Sequence, residues 1–308
     1  MSRTAFFGTP DFAVPSLDAL AAGSELVAVV AQPDKPSGRG RELTPPSTAL
    51  WARARGVRLL QPARAKAPEF LAELAALGLD LVVVAAYGKI LPAALLAVPR
   101  LGCVNVHASL LPKFRGAAPI QWAIARGERE TGVTLMQMDE GLDTGPMLAA
   151  ESVPILPEDT GGSLSQKLSV VGGELLRAKL PELLAGTLPR SAQDSTRATL
   201  APKLTRTDAV MDLSLPAMVL HDRVRAFQPW PGALLRLSDS QVIKVLRTSV
   251  VAGEGVAGTV LEAGHQSFRV ATGQGALELL ELQPEGKRRM AAVDFLAGHP
   301  MKVGTIIG

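Results

Sequence analysis

Short apolar runs alternate with helix-like segments through the first 185 residues of this 308-residue chain. The runs are β-branched or continuously apolar, which is typical of strands that are covered on both faces of a sheet. They predict strands at residues 4–7, 25–31, 57–60, 79–86, 103–106 and 133–138. Because helical segments lie between these strands, the order predicts an α/β fold with a doubly wound, mainly parallel sheet.

Glycine follows each of the helix-like segments between the strands. A glycine just past the last turn adopts the left-handed conformation easily, so it is a common helix end. The pattern predicts helices at residues 12–22, 48–55, 68–77 and 119–126, ended by Gly23, Gly56, Gly78 and Gly127. A longer helix at residues 163–184 closes a first domain, which we place at residues 1–188.

The composition changes near residue 188. Residues 189–207 are polar and basic, so we interpret them as a linker. A helix at residues 215–227 precedes short alternating runs at residues 233–237, 242–250, 258–261, 268–271 and 277–282. Turn signals separate these runs, which predicts a small OB-like β-barrel domain over residues 208–308.

Cysteine and histidine usage limits the chemistry. The one cysteine, Cys103, permits no internal disulfide and no cysteine-based metal centre, and it is typical of a reducing compartment. The four histidines lack ligand spacing, so we expect no metal. No signal peptide is recognised, and no apolar run reaches the roughly 18 residues of a membrane helix. We therefore expect a cytoplasmic protein without a membrane partner.

The net charge of +3 is unevenly distributed. Residues 1–189 carry 18 basic and 18 acidic side chains, whereas residues 190–308 carry 14 and 11. The whole excess therefore lies in the C-terminal third. Such an asymmetry indicates either a nucleic-acid contact surface or an ordinary solvated surface.

Polar side chains follow two of the predicted strands. In a doubly wound sheet, ligands bind beyond the carboxyl ends of the strands. Asn105 and His107 lie on the same side of one strand, and Asp143 lies in a glycine-rich turn after another. His107 could instead be structural, and Asp143 could complete an Asx turn. Ser109 lacks a nucleophile elbow. The residues alone predict an α/β enzyme with a centre of amide, imidazole and carboxylate.

Two motifs carry a family resemblance. Asn-Val-His-Ala-Ser-Leu-Leu-Pro at residues 105–112 resembles the signature of the 10-formyltetrahydrofolate-dependent formyltransferases, and Gly-Leu-Asp-Thr-Gly at residues 141–145 resembles their second motif. Further segments resemble the members that act on methionyl-tRNA, namely residues 7–13, 32–36, 38–40, 115–120, 226–232 and 286–290. The resemblance spans nearly the whole chain and implies a Rossmann-like formyltransferase domain.

The resemblance implies that an amine attacks the N10-formyl carbon of 10-formyltetrahydrofolate directly. Asn105 and His107 would donate hydrogen bonds to the oxyanion, and removal of one such donor typically lowers the rate by about 10² to 10³. Asp143 would stabilise the charged form of His107 and relay a proton from the amine to N10. The catalytic residues are thus expected to be Asn105, His107 and Asp143.

The resemblance also implies residues that hold the two substrates. Folate would lie beside residues 84–91, the turn at residues 109–112 and the loop near Asp143. Its expected contacts are Tyr87, Lys89, Leu91, Ser109, Leu110, Leu111, Pro112 and Glu140. Initiator methionyl-tRNA would meet an unstructured basic loop at residues 34–41 and the barrel. Its expected contacts are Lys35, Arg39, Arg41, Lys203, Arg206, Lys287, Arg288 and Arg289.

Three alternatives remain open. The acceptor could be a small amine such as a sugar nucleotide or glycinamide ribonucleotide, which needs the basic loop and second domain less. The chain could be a tRNA-binding module without activity, although the intact centre argues against this. Water could also replace the amine, so that formate is released. We expect the protein to act as a monomer.

Overall fold

The computed structural model describes residues 1–37, 42–237 and 241–308. These residues form two compact units. Unit 1 comprises Met1–Pro119, Glu130–Pro154 and Ser165–Pro202, and unit 2 comprises Ile120–Arg129, Ile155–Leu164 and Lys203–Gly308. The predicted division at residues 1–188, 189–207 and 208–308 differs from this arrangement. Two internal segments group with the C-terminal residues, and most of the predicted linker groups with unit 1.

The secondary structure alternates in unit 1 and is mostly β in unit 2. The strands are β1 (Arg3–Gly8), β2 (Glu25–Val30), β3 (Lys35–Ser37), β4 (Glu42–Thr44), β5 (Leu59–Leu60), β6 (Leu81–Ala85), β7 (Cys103–His107), β8 (Arg115–Gly116), β9 (Glu130–Gln137), β10 (Met147–Pro154), β11 (Leu200–Ala201), β12 (Ala233–Arg236), β13 (Val242–Val251), β14 (Val260–Ala263), β15 (Phe268–Ala271), β16 (Ala276–Pro284) and β17 (Met290–Ala291). The α-helices are α1 (Val14–Gly23), α2 (Ser47–Arg55), α3 (Pro68–Ala75), α4 (Ala93–Leu96), α5 (Pro119–Ala125), α6 (Gly161–Ala185), α7 (Ala217–Ala226) and α8 (Ala292–Gly298).

Within the described residues, unit 1 has a seven-stranded sheet in the order β10-β9-β7-β6-β1-β2-β5. The five neighbouring strands β7, β6, β1, β2 and β5 are parallel to one another. Strands β9 and β10 are antiparallel to their neighbours. Strands β1 and β6 are almost wholly buried, as central parallel strands must be. The prediction of a mainly parallel, doubly wound sheet is confirmed. Strand order reverses between β1 and β6, so the ligand crevice is expected at their carboxyl ends.

The helix ends agree with the glycine pattern except at Gly23. Gly56, Gly78 and Gly127 have the expected positive φ angles of 67°, 59° and 71°. Gly23 is instead the last residue of α1, and Ser24 follows it in an extended conformation. A Cβ at Gly23 would lie 2.6 Å from Cδ2 of Leu180. A side chain at this position would require the Leu180 side chain of α6 to shift, and the prediction of Gly23 as a left-handed cap is wrong.

The described part of the predicted unstructured loop, residues 34–37, is anchored, whereas residues 38–41 lie outside the described residues. Strands β3 and β4 form an antiparallel ribbon. The Asp34 carboxylate accepts hydrogen bonds from Gln61 Nε2 at 2.7 Å and from Arg53 Nη2 at 3.3 Å. The Gln61 bond, followed by the Arg53 bond and charge, lowers the pKa of Asp34. Arg39 and Arg41, two of the predicted tRNA contacts, lie outside the described residues.

Unit 2 is built on an antiparallel sheet in the order β12-β13-β16-β15-β14, with β17 paired to β16. Side chains of β13 alternate between buried and more exposed, because one face of the strand meets the core. Leu220 and Val224 of α7 and Phe295 of α8 pack into that core. The C-terminal domain that we predicted as an OB-like β-barrel is confirmed as an antiparallel β domain. Among the described residues, no helix has the length and apolarity needed to cross a bilayer.

Candidate active site

Strand β7 positions Asn105 and His107. It lies between β6 and β9, with Asn105 opposite Met136 and His107 opposite Thr134. His107 is 5% exposed, whereas Asn105 is half-buried. No side-chain hydrogen bond of Asn105 is formed with the described part of the chain. A half-buried amide in this condition can accept or donate to a bound group, because its hydrogen-bonding capacity is unused.

The two ring nitrogens of His107 have different partners. Nε2 lies 3.1 Å from the Phe114 carbonyl oxygen. Because a carbonyl can only accept, Nε2 carries a proton and donates it. Nδ1 lies 3.8 Å from Asp143 Oδ2, which is too long for a hydrogen bond. The Nδ1 side therefore faces the carboxylate across a gap.

Asp143 is held in a conformation that is rare for a non-glycine residue. Its φ angle is 52°, and its side chain is 14% exposed. Oδ2 accepts a hydrogen bond of 2.8 Å from the Gly116 N–H. The Asx turn of this loop is formed by Asp139, which accepts from the Gly141 N–H at 3.0 Å and from Thr144 Oγ1 at 2.7 Å. The alternative role that the sequence left open for Asp143 is thus filled by Asp139.

The predicted folate contacts after β6 are mostly turned inward. The Tyr87 ring is 2% exposed and packs edge-on against Phe7 with a centroid distance of 5.2 Å. Burial raises the pKa of its hydroxyl to about 12. Leu91 is 3% exposed. Because both side chains belong to the core, only their backbone groups could meet a ligand.

Lys89 projects toward a cavity of about 420 Å³. Its Nζ donates to the carbonyl oxygens of Ala63 at 2.8 Å and Pro62 at 3.4 Å. Arg64 and Lys66 also line this cavity. Sequence reasoning did not select these two cations, because they lie in an unremarkable loop between β5 and α3 and become neighbours of Lys89 only through the fold.

The turn at residues 109–112 is fixed by its own hydrogen bonds. Ser109 is fully buried, and its Oγ donates to the Lys113 carbonyl oxygen at 2.6 Å. Leu111 is 7% exposed, and its N–H donates to Thr134 Oγ1 at 3.2 Å. Leu110 and Pro112 are half-buried, and Glu140 is exposed. Of the folate contacts predicted here, these last three have side-chain surface available to a ligand.

The predicted tRNA contacts that the structure describes are exposed side chains. Lys35 belongs to unit 1. The others belong to unit 2, namely Lys203, Arg206, Lys287, Arg288 and Arg289. Arg289 Nε lies 3.6 Å from Glu281 Oε1. Exposed ion pairs are weak, so phosphate could displace this one.

Two residues near Asp143 were missed by sequence reasoning. Arg115 is 8% exposed and donates to the side-chain oxygen of Gln193. Gln193 in turn donates to the carbonyl oxygens of Asp143 and Gly145. No local pattern marks Gln193, because it lies in a polar segment far along the chain from Asp143. Only the tertiary fold brings the two together.

Other reactive groups contribute little to this site. Cys103 is buried in β7, and burial raises the pKa of its thiol to about 12, so the thiol stays protonated near neutral pH. Within residues 1–37, 42–237 and 241–308, no three side chains of His, Cys, Asp or Glu are grouped to hold a metal ion.

Comparison with known proteins shows which family the sequence matches. A family model described as formyl transferase matches residues 2–180, and one described as formyl transferase, C-terminal domain, matches residues 203–300. The methionyl-tRNA formyltransferase of Myxococcus xanthus is 52% identical, over 98% of this chain and 97% of that protein. The methionyl-tRNA formyltransferase of Halorhodospira halophila is 51% identical, over 98% of each chain.

Solved structures show the same fold at lower identity. The N-formyltransferase from Helicobacter canadensis, solved in complex with folinic acid and dTDP-3-aminofucose, is 18% identical with a TM-score of 0.65. The match covers 92% of this chain and 100% of that one. The full-length relatives and the two family models together show that the chain belongs to the methionyl-tRNA formyltransferase family.

Proposed function

We propose that this protein transfers the formyl group of 10-formyltetrahydrofolate to the α-amino group of methionine on initiator methionyl-tRNA, and so serves translation initiation. It acts in the cytoplasm as a monomer. The observation that carries the proposal is the placement of His107 and Asp143 beside each other, 3.8 Å apart, in a chain similar over nearly its whole length to methionyl-tRNA formyltransferases.

The site suits direct acyl transfer. The amine nitrogen forms a bond to the formyl carbon, the carbonyl oxygen becomes an oxyanion, and the bond from that carbon to N10 then breaks. The amine loses a proton and N10 gains one. Asn105 supplies an amide donor for the oxyanion, and His107 supplies another from Nδ1 when both of its ring nitrogens carry a proton. Because Nε2 is bonded to Phe114, only the Nδ1 side of the ring can serve the reacting atoms.

Asp143 supports the proton transfers. Its carboxylate accepts one backbone hydrogen bond and still faces His107, so it can stabilise an imidazolium and accept a proton from the attacking amine through water. Folate lies at the carboxyl ends of β1 and β6, against residues 84–91 and the turn at residues 109–112. The cavity beside Lys89 supports this position, because its cations suit an anionic ligand.

The acceptor tRNA meets exposed cations. Lys203, Arg206, Lys287 and Arg288 are exposed side chains of unit 2 that can neutralise phosphates and release counterions. Lys35 contributes from the ribbon of β3 and β4, and Arg39 and Arg41, which follow it in the sequence, are expected to add further phosphate contacts. These contacts position the RNA backbone rather than read its sequence.

The acceptor is tested by competition. The full-length protein receives 10-formyltetrahydrofolate labelled in the formyl group together with initiator methionyl-tRNA, elongator methionyl-tRNA, glycinamide ribonucleotide and water. We expect the label on initiator methionyl-tRNA and much slower labelling of it by Asp143→Asn. Label mainly on glycinamide ribonucleotide, or released as formate, would replace the proposal by the small-amine or hydrolase alternative. Binding of tRNA without any transfer would indicate an inactive tRNA-binding module.

A further inference from the structure

Residues 191–201, which we call the strap, bind both loops of the active site. At one end, Ser191 and Met147 exchange two backbone hydrogen bonds of 2.8 and 2.9 Å just after the Asp143 turn. At the other end, β11 pairs in parallel with β8. The Arg115 N–H donates to the Thr199 carbonyl oxygen at 2.8 Å. A segment that the sequence marks as a linker is therefore hydrogen-bonded near both ends to other parts of unit 1.

Gln193 lies near the start of the strap, and both the oxygen and the nitrogen of its amide are hydrogen-bonded. Nε2 donates to the carbonyl oxygens of Asp143 at 2.8 Å and Gly145 at 2.7 Å. Oε1 accepts from Arg115 Nε at 3.0 Å and Nη2 at 2.7 Å. These partners fix the amide orientation, because carbonyls can only accept and a guanidinium can only donate.

The four groups form a closed ring. Gln193 holds the Asp143 backbone, the Asp143 carboxylate accepts from the Gly116 N–H, and Gly116 follows Arg115, which binds Gln193. Asp143 has the left-handed φ angle of 52°, a conformation that persists only when its surroundings enforce it. The Gln193 bonds to the carbonyls at positions 143 and 145 supply that restraint.

We propose that Gln193 is a positioning residue for formyl transfer, which acts through Asp143 and is itself oriented by Arg115. This inference rests on the proposed function. The strap lies between the two regions that the family models match, residues 2–180 and 203–300, and by this proposal it contributes to the chemical step. Gln193 touches neither the substrate nor the reacting atoms; it sets where the Asp143 carboxylate points relative to His107.

The test measures single-turnover formyl transfer and the steady-state parameters of the full-length Gln193→Ala variant. We expect the transfer rate to fall about tenfold or more, because small misplacements of catalytic groups reduce rates strongly. KM for both substrates should stay within about twofold, since the Gln193 amide is already bonded to Arg115 and to the carbonyls of Asp143 and Gly145. Transfer within about twofold of the wild-type rate would overturn the proposal.

A double-mutant cycle distinguishes positioning from a general structural role. If Gln193 acts through Asp143, Gln193→Ala should lower the rate far less in an Asp143→Asn background than in the wild type. Equal losses in both backgrounds would mean that Gln193 does not act through the carboxylate. If Gln193→Ala does not fold, Gln193→Met retains the side-chain length without the hydrogen bonds and replaces it in the cycle.

Gln228 provides a matched control. It is also half-buried and donates through Nε2 to two carbonyl oxygens, those of Val224 at 3.0 Å and Leu246 at 2.6 Å, but it lies in unit 2. Gln228→Ala should lose thermal stability comparably yet keep the single-turnover rate; an equal fall in rate would reduce the Gln193 effect to general destabilisation. If the wild-type protein does not formylate methionyl-tRNA, the proposed function is refuted, but the Gln193 proposal is not. The double-mutant cycle can then be run with the amine that the wild type does formylate.

Discussion

His107 has one ring nitrogen committed to the protein and one directed at Asp143, so the imidazole can serve the reaction in only one orientation. We predict that Asn105→Ala, His107→Ala and Asp143→Ala each lower the single-turnover rate of formyl transfer by at least about 10-fold to 100-fold, the range for a lost donor or proton relay. Rapid-quench measurement with saturating substrates determines the rates.

The transfer rates of the three variants can be compared with the wild-type rate only if the variants are folded. Thermal unfolding midpoints of the three variants should lie close to that of the wild type. Glu151→Ala, which changes an exposed carboxylate on β10, is the control and should react at the wild-type rate. A His107→Ala or Asp143→Ala variant with near-normal transfer would remove that residue from the catalytic centre.

A second residue-scale prediction concerns His221 of α7. Its Nδ1 lies 3.0 Å from Thr248 Oγ1, and burial lowers its pKa, with Asp222 opposing and Arg225 reinforcing the shift. The unfolded chain therefore binds a proton more readily than the folded one, so protonation favours unfolding as the pH falls below about 6.5. We expect His221→Asn to reduce the loss of thermal midpoint between about pH 7.5 and pH 5.5.

The comparison needs only unfolding curves at the two pH values. His265→Asn, which replaces an exposed imidazole of the same unit, is the matched control. If both variants lose as much stability on acidification as the wild type, titration of His221 makes no contribution to the pH dependence.

At the scale of elements, the pairing of β8 with β11 depends on Gly116. Its φ angle is 127°, and a Cβ there would lie 2.5 Å from the Ala201 carbonyl oxygen. We predict that Gly116→Ala lowers the free energy of unfolding by about 1–3 kcal/mol, the usual range for enforced backbone strain. It should also slow formyl transfer, because the Gly116 N–H holds the Asp143 carboxylate.

Gly56→Ala separates conformational strain from steric conflict. Gly56 also has a positive φ angle, 67°, but a Cβ there would meet nothing within 4 Å. Urea unfolding should show a smaller loss than for Gly116→Ala, and the transfer rate should be unchanged. Equal losses for the two variants would indicate that the approach of Ala201 to Gly116 is not important.

The sequence predicts elements well where one physical signal dominates. Strands β1, β6 and β7 are continuous apolar runs because both faces of the sheet are covered. Strand β10 was missed because it lies at the sheet edge and carries exposed residues such as Glu151 and Ser152. Helix α4 has only four residues, which is too short for a periodic pattern.

The candidate site shows the same limit. Asn105, His107 and Asp143 lie in motifs, so they could be selected from the sequence. Gln193 could not, because its role depends on a contact across 50 positions of the chain. The inward orientation of Tyr87 was likewise hidden, since a tyrosine in a loop next to a strand gives no local sign of which way its ring turns.

At the scale of the molecule, the two units cannot be separated by a single cut. A chain ending at residue 188 lacks the strap, whereas one ending at Pro202 retains it; both leave Ile120–Arg129 and Ile155–Leu164 without the remainder of unit 2. We predict that both shortened chains melt below the full-length protein. The longer one should melt at least about 2 °C above the shorter, since a strap that contributes about 1 kcal/mol raises the midpoint by about 2–4 °C at this size.

Differential scanning calorimetry on the three chains provides the measurement. Circular dichroism at low temperature should first establish that both shortened chains retain helix and strand. Identical midpoints for the two shortened chains would mean that residues 189–202 do not stabilise unit 1. A shortened chain as stable as the full-length protein would contradict the division into units.

The discontinuity of unit 2 also bears on how the chain folds during synthesis. Trp122 packs edge-on against Phe227 at 5.9 Å, and the Gly162 N–H donates to the Gln228 carbonyl oxygen at 2.9 Å. Phe227 is synthesised 105 positions after Trp122, a delay of roughly 5–20 s at about 5–20 residues per second. During that time the Trp122 ring lacks its contact with Phe227. Transiently exposed apolar surface of this kind favours aggregation before a domain is complete, and slower translation would lengthen that exposure.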